Sequence, residues 1–189
     1  MSRSRDVAAC LLAAAALRAG AAAAQEAPDL SGHWKLDAKR SGDTRAQIEA
    51  VAGPDHTVRG ASEAERLRLR RVMLATAADW NELEIRQTAS EIKFLYGEAG
   101  ARTFYLGREH LRDDGAGGQL RARTRIEKGQ IVIEQVREKG QKDQIVEIFT
   151  PLPGGRQLLQ GIRFESPLLS APLEISRFYD RVGPSGDMP

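Results

Sequence analysis

Residues 120–127 read Leu-Arg-Ala-Arg-Thr-Arg-Ile-Glu, an alternation of small or apolar side chains with charged ones. In an extended chain, successive side chains point to opposite faces. Leu120, Ala122, Thr124 and Ile126 therefore share one face, and Arg121, Arg123, Arg125 and Glu127 the other. This is the pattern of a half-buried strand with a solvated outer side. Lys128-Gly129 follows as a turn, and the same rhythm continues on both sides of it.

Towards the N-terminus, Leu83 and Ile85, then Ile92, Phe94 and Tyr96, then Phe104 and Leu106 form short alternating runs, divided by Ala89-Ser90 and residues 97–100. Towards the C-terminus, residues 131–137, 145–149, 157–164 and 173–181 repeat the pattern. Turns fall at Lys139-Gly140, Pro153-Gly154-Gly155 and residues 166–172. An earlier strand, residues 32–36, sets Trp34 and Leu36 on one face, and residues 37–43 read as a turn. Short strands at regular spacing with tight turns predict a mainly β, antiparallel meander of about eight or nine strands. One apolar and one polar face per strand fits a sheet solvated on one side, and closing it into a barrel removes its edges.

Residues 44–79 differ from the rest and read as a helical insert between the first and second strands. Thr44 to Ala52 is a weak helix ended by Gly53-Pro54, a breaker pair. Ser62 followed three residues on by Glu65 is a capping-box pattern. The stretch from Glu65 to Ala78 is rich in helix formers. Its apolar edge reads as Leu67, Leu74 and Ala78, interrupted by Arg70 and Arg71, which predicts a surface helix.

The N-terminus carries Arg3 and Arg5, an apolar stretch over residues 7–17, and small residues at Ala22 and Ala24. This is the layout of a signal peptide over residues 1–24, with an apolar run too short to span a bilayer. Val7-Ala8-Ala9-Cys10 resembles a lipidation box, but the apolar region lies after the cysteine rather than before it, so no lasting membrane anchor is expected. Cleavage would take Arg3, Arg5 and Arg18 from 28 basic residues and Asp6 from 26 acidic ones, leaving the two signs balanced. That removes the basic footprint a nucleic-acid partner requires. It also removes the single cysteine, and with it any disulfide within the chain or thiolate metal site. The expected organisation is a short polar lead over 25–30, one barrel domain over 31–182, and a flexible tail over 183–189. The expected location is periplasmic or extracellular.

Two end segments resemble the calycins, the group that unites lipocalins and intracellular fatty-acid-binding proteins. Gly32-His33-Trp34-Lys35-Leu36 is similar to their G-x-W opening, and Arg177-Phe178-Tyr179-Asp180 to the R-x-Y-[DE] near the end of the fatty-acid-binding proteins. In that family two helices between the first and second strands cap the barrel mouth, the slot that residues 44–79 occupy here. The insert is longer than the usual helical pair, and the expected strand count falls between the two families.

Arg177 stands in phase with Leu173, Ile175 and Tyr179 on the inward face of the last strand, opposite Glu174, Ser176 and Asp180. A buried guanidinium is costly unless it is paired. The lipocalin resemblance implies that Arg177 packs over Trp34, near Gly32, and closes the barrel end. A cation–π contact of that kind contributes ~0.5–2 kcal/mol. Arg181 is a lesser candidate for the same place. The fatty-acid-binding-protein resemblance implies instead that Arg177 and Tyr179 hold a ligand carboxylate, which the guanidinium fork suits. The packing role ranks first, and both remain open.

Little else points to chemistry. His33 lies in a strand and His56 and His110 in loops, without metal-ligand spacing. Arg121, Arg123 and Arg125 lack the neighbouring aromatic residues of a nucleic-acid ridge. Asp113-Asp114-Gly115 opens like a calcium loop but gains no further carboxylates, and reads as a flexible hairpin turn. Glu109 and Asp113 make an unspecific carboxylate pair. Phosphate-loop, G-x-S-x-G and H-E-x-x-H motifs are absent. The reading is therefore a non-enzyme without metal or cofactor. It is either an exported barrel that binds a small apolar or carboxylate-bearing molecule, or an envelope module whose filled barrel meets a protein partner.

Overall fold

The alternation read from residues 120–127 recurs in ten strands, which hydrogen-bond into one antiparallel sheet. The computed structural model of the chain describes residues 27–53, 61–77, 80–97, 100–140 and 142–183. In chain order the elements are β1 (Gly32–Leu36), α1 (Ala38–Ser41), α2 (Thr44–Ala52), α3 (Glu63–Ala77), β2 (Glu82–Gln87), β3 (Glu91–Leu95), β4 (Ala101–Tyr105), β5 (Glu109–Asp113), β6 (Gln119–Glu127), β7 (Gln130–Arg137), β8 (Gln144–Pro151), β9 (Gln157–Glu165) and β10 (Leu173–Val182). The expected signal peptide, His56 and Ala78 lie outside the described residues, as does the expected tail beyond Gly183.

Consecutive strands pair except β4 and β5, and β1 pairs with β10, so the order is β4-β3-β2-β1-β10-β9-β8-β7-β6-β5. The sheet curls into a nearly closed barrel whose seam lies between β4 and β5. One isolated bridge, Leu106 to Thr124, reaches past β5 to β6. Across the seam itself, His110 Nε2 donates to the Thr103 carbonyl at 3.2 Å, and the His110 ring meets Phe104 and Tyr105 edge-on.

The helical insert is present, with two differences in detail. Residues 37–43 contain a short helix rather than a plain turn, because the Asp37 carboxylate accepts from the Lys39 and Arg40 N–H groups and caps α1. The capping box forms as read: Glu65 accepts from the Ser62 N–H at 2.8 Å, and the Glu65 N–H donates to Ser62 Oγ at 3.3 Å. The buried face of α3, however, is Leu69, Val72, Met73, Thr76 and Ala77, whereas Leu67 is 39% exposed. The expected edge counted Arg70 and Arg71 as breaks in its apolar stripe. In the structure Arg68 bonds Asp114 and Asp143 on the barrel, and Arg70 pairs with Glu49 of α2. Burying a Leu, Val or Met side chain contributes ~1.5–3 kcal/mol, enough to turn the helix this way once the arginines have partners.

A strand was also missed. Residues 109–113 (Glu-His-Leu-Arg-Asp) form β5, so His110 is a strand residue and not a loop residue. The segment hides because its inward side chains are His110 and Arg112, while Leu111 points out and is 54% exposed. The turn after it is tied down rather than flexible. Asp114 is buried, and its carboxylate accepts from the Ala116 and Gly118 N–H groups and from Arg68. Gly115 sits so close to α3 that a Cβ there would lie 2.9 Å from the Ala75 Cβ. Burial pushes the Asp114 pKa up, but its backbone donors and Arg68 outweigh that and hold it below the ordinary value.

Arg68 thus clamps α3 over the barrel mouth. Removing one partner of a buried ion pair leaves the other charge without compensation and costs about 3–5 kcal/mol. Arg68→Ala is expected to lower the unfolding free energy by roughly 3 kcal/mol in urea titrations, since Asp114 then remains buried without its guanidinium and Asp143 keeps as its cation only Arg137, at 3.9 Å.

Candidate functional site

The inward positions of β8, β9 and β10 each read apolar, polar, apolar. They are Ile145, Glu147 and Phe149; Leu158, Gln160 and Ile162; and Ile175, Arg177 and Tyr179. The apolar members fall into two separate clusters. One holds Trp34, Phe94, Phe104, Phe149, Leu158 and Tyr179. The other joins Ile145, Ile162 and Ile175 to Ile48 of α2 and to Leu69 and Met73 of α3. Between them lies a layer of buried polar side chains: Arg102, Gln135, Glu147, Gln160 and Arg177.

Glu147 is the centre of that layer and is fully buried. Arg102 reaches it from β4, donating from both terminal nitrogens at 2.8 and 2.9 Å. Gln135 Nε2 donates to one carboxylate oxygen at 2.8 Å and Gln160 Nε2 to the other at 3.0 Å. The Tyr179 hydroxyl donates to Gln160 Oε1 at 3.2 Å. Arg102 also donates to the Tyr96 hydroxyl, through Nε at 2.8 Å and a terminal nitrogen at 2.6 Å. The guanidinium is caged by rings, 4.8 Å from the Trp80 centroid and 5.5 Å from that of Phe104. Burial opposes the Arg102 charge, but Glu147 and Tyr96 prevail and raise its pKa above the ordinary value.

Arg112 enters the same layer from β5. It donates to Gln135 Oε1, and its guanidinium lies 5.5 Å from the centroid of the Phe104 ring. Burial, and then the Arg102 charge, push its pKa down to about 10.

The residues singled out by resemblance fall in two places. Arg177 is buried in the polar layer, with its guanidinium over the Tyr179 and Trp80 rings, at 5.4 and 5.8 Å from the centroids. It donates to the main-chain carbonyls of Trp80 at 3.3 Å and Ala77 at 3.5 Å, at the end of the helical insert. The guanidinium over Trp34 belongs to Arg181, at 4.7 Å. Gly32 completes that corner, because a Cβ there would meet the Arg181 guanidinium at 3.6 Å, and its φ of +140° favours glycine. Trp34 Nε1 donates to the Leu30 carbonyl at 3.0 Å. Arg177 and Trp34 thus belong to different parts of the interior.

The sequence reading missed Glu147, Gln135, Gln160, Arg102 and Trp80. For the first four, the signal that exposed Arg177 was also present: a polar side chain in the inward phase of a strand. Trp80 stacks on Tyr96 with ring centroids 3.5 Å apart, a contact that strand periodicity does not encode.

No family model matches the chain, and no curated protein matches it. Solved structures do match. A protein titled REP1-NXSQ fatty acid transporter aligns with a TM-score of 0.51 and 16% identity, over 83% of this chain and 98% of that one. More remote are apo lipid binding protein 8 of Caenorhabditis elegans (TM-score 0.48, 15% identity, 80% of this chain and 94% of that chain) and a zebrafish ileal bile acid-binding protein complexed with cholic acid (TM-score 0.48, 13% identity, 80% of this chain and 98% of that chain). The fold is shared with that fatty acid transporter: a nearly closed antiparallel β-barrel with helices after the first strand.

Two outcomes follow from the polar layer. Glu147→Ala strands the Arg102 charge and is expected to cost about 3–5 kcal/mol, whereas the double variant Arg102→Met/Glu147→Leu recovers most of that loss; denaturant midpoints of the unmodified protein and these two variants measure both. Burial also raises the Tyr96 and Tyr179 hydroxyls, the latter to about 12. The unfolded chain loses these protons near its ordinary value of about 10, before the native state does. Stability is therefore retained below that pH and lost as pH climbs towards the native values. Urea midpoints together with tyrosinate absorbance follow the loss.

Proposed function

We propose that the protein is an exported carrier that takes a small hydrophobic or amphipathic molecule into the barrel beneath α2 and α3. The observation that carries this reading is the amphipathic interior: a charged layer enclosed between two apolar clusters, one of them built with the lid helices. Such a space matches a molecule with an apolar body and a polar end. The printed title of the solved barrel with the same fold, a fatty acid transporter, agrees with it. Export rests on the N-terminal pattern of residues 1–24. A groove of about 540 Å³ lined by Ala64, Arg68, Arg137 and Gly140 runs along the edge of the lid beside the Arg68 clamp and offers the way in.

A second reading is a filled barrel that serves as an envelope protein-interaction module. It is favoured by the saturation of Glu147 and by the close stacking of Phe94 on Phe149, at 4.6 Å between centroids. Titration of the protein without residues 1–24 with Nile red, followed by displacement with oleate and oleyl alcohol, separates the two. The carrier reading expects saturable uptake of about one molecule per chain. Dye fluorescence that rises without saturation, and is unchanged by either lipid, would favour the filled module.

A further inference from the structure

Three guanidinium groups enter the polar layer, and among the described residues Glu147 is the carboxylate that bonds one of them. Arg102 is matched, because Glu147 binds it in two-point fashion. Glu147 then has nothing left to offer, since each of its oxygens already accepts one bond from Arg102 and one from a glutamine. Arg177 is turned towards the Ala77 and Trp80 carbonyls and so is engaged by the lid end of the chain. Arg112 is placed differently. Its hydrogen-bond acceptor is the neutral amide of Gln135, and among the described residues no carboxylate forms an ion pair with it. A guanidinium carries five N–H donors in a fork that fits a carboxylate, so this half-buried group retains donor capacity at the barrel seam.

We infer that Arg112, at the β4–β5 seam, is the seat for the head group of a carboxylate-bearing amphiphile, and that Glu147 keeps such a head group away from Arg102. The inference deepens the carrier reading and rests on it. Glu147 occupies the anion position on Arg102, so an acid ligand that entered the layer would meet a saturated pair there and an available fork at Arg112. The Phe104 ring beside Arg112 and the apolar cluster beyond it receive the start of the ligand's chain. Burial of Arg112 depresses its charged form, and a seated carboxylate relieves that cost. This position is distinct from the Arg177–Tyr179 pair on which the family resemblance places a carboxylate.

Calorimetric titration of the protein with oleate and with oleyl alcohol tests the assignment, because the two differ only in the head group. The expected result is about tenfold tighter binding of oleate, the scale of one charge-assisted contact. Arg112→Met should abolish that preference, and Arg112→Lys should keep part of it. On the unmodified protein, the Arg112 Nε–H resonance should shift with oleate and not with oleyl alcohol, a readout that stands if the Met variant does not fold. Equal binding of the two lipids would overturn the seat and leave the carrier reading intact. So would a preference for oleate that survives Arg112→Met and disappears with Arg177→Met. Failure of both lipids to bind would overturn the carrier reading and the seat with it.

Discussion

A carboxylate enclosed in the middle of a barrel must find its donors among the strands around it, and Glu147 finds four bonds on three of them. Arg102 supplies two bonds, Gln135 and Gln160 one each. Those donors come from β4, β7 and β9, while Glu147 itself lies on β8. The requirement propagates outwards. Gln160 is oriented by the Tyr179 hydroxyl, Arg102 by Tyr96, and Tyr96 stacks on Trp80. A buried network is stable only when each member is satisfied, so one acidic residue dictates the inward identity of several strands. It also separates the interior into two apolar compartments rather than one.

The lid is governed by the same rule at another place. Asp114 and Asp143 are buried under α3 and require a cation, and Arg68 supplies it to both. That requirement decides which side of α3 faces the barrel and places Leu69, Val72 and Met73 against Ile145, Ile162 and Ile175. Ser41 adds a second fastening, accepting from the Phe178 N–H at 2.9 Å, which joins α1 to β10.

The strand pattern was legible wherever one face of a strand was apolar. β1, β2, β3, β4 and β6 to β10 were all visible in period-two runs, and the helical insert announced itself through Ser62 and Glu65. β5 was not legible, because it turns His110 and Arg112 inward and Leu111 outward, the reverse of the usual signal. The face of α3 was misjudged for a related reason: the edge was drawn through Leu67, Leu74 and Ala78 with Arg70 and Arg71 as breaks, whereas Arg68, held by buried carboxylates, sets the face. Arg177 was recognised as an inward cation from its phase alone. Its place over Tyr179 and Trp80 rather than Trp34 was not recognisable, since periodicity tells which way a side chain points but not which ring it will meet across the barrel.

The seam between β4 and β5 has a mechanical consequence. In a barrel closed by hydrogen bonds all round, strand number and stagger determine the girth. Here the hoop is split. Its two free edges are joined by the His110–Thr103 bond and by aromatic contacts, and behind them the Arg102–Glu147 pair ties the β4 wall to the β8 wall like a crossbar. Along this line the circumference is set largely by side chains, and the main chain crosses it at the Leu106–Thr124 bridge and the bond from the Gly107 N–H to the Thr124 carbonyl.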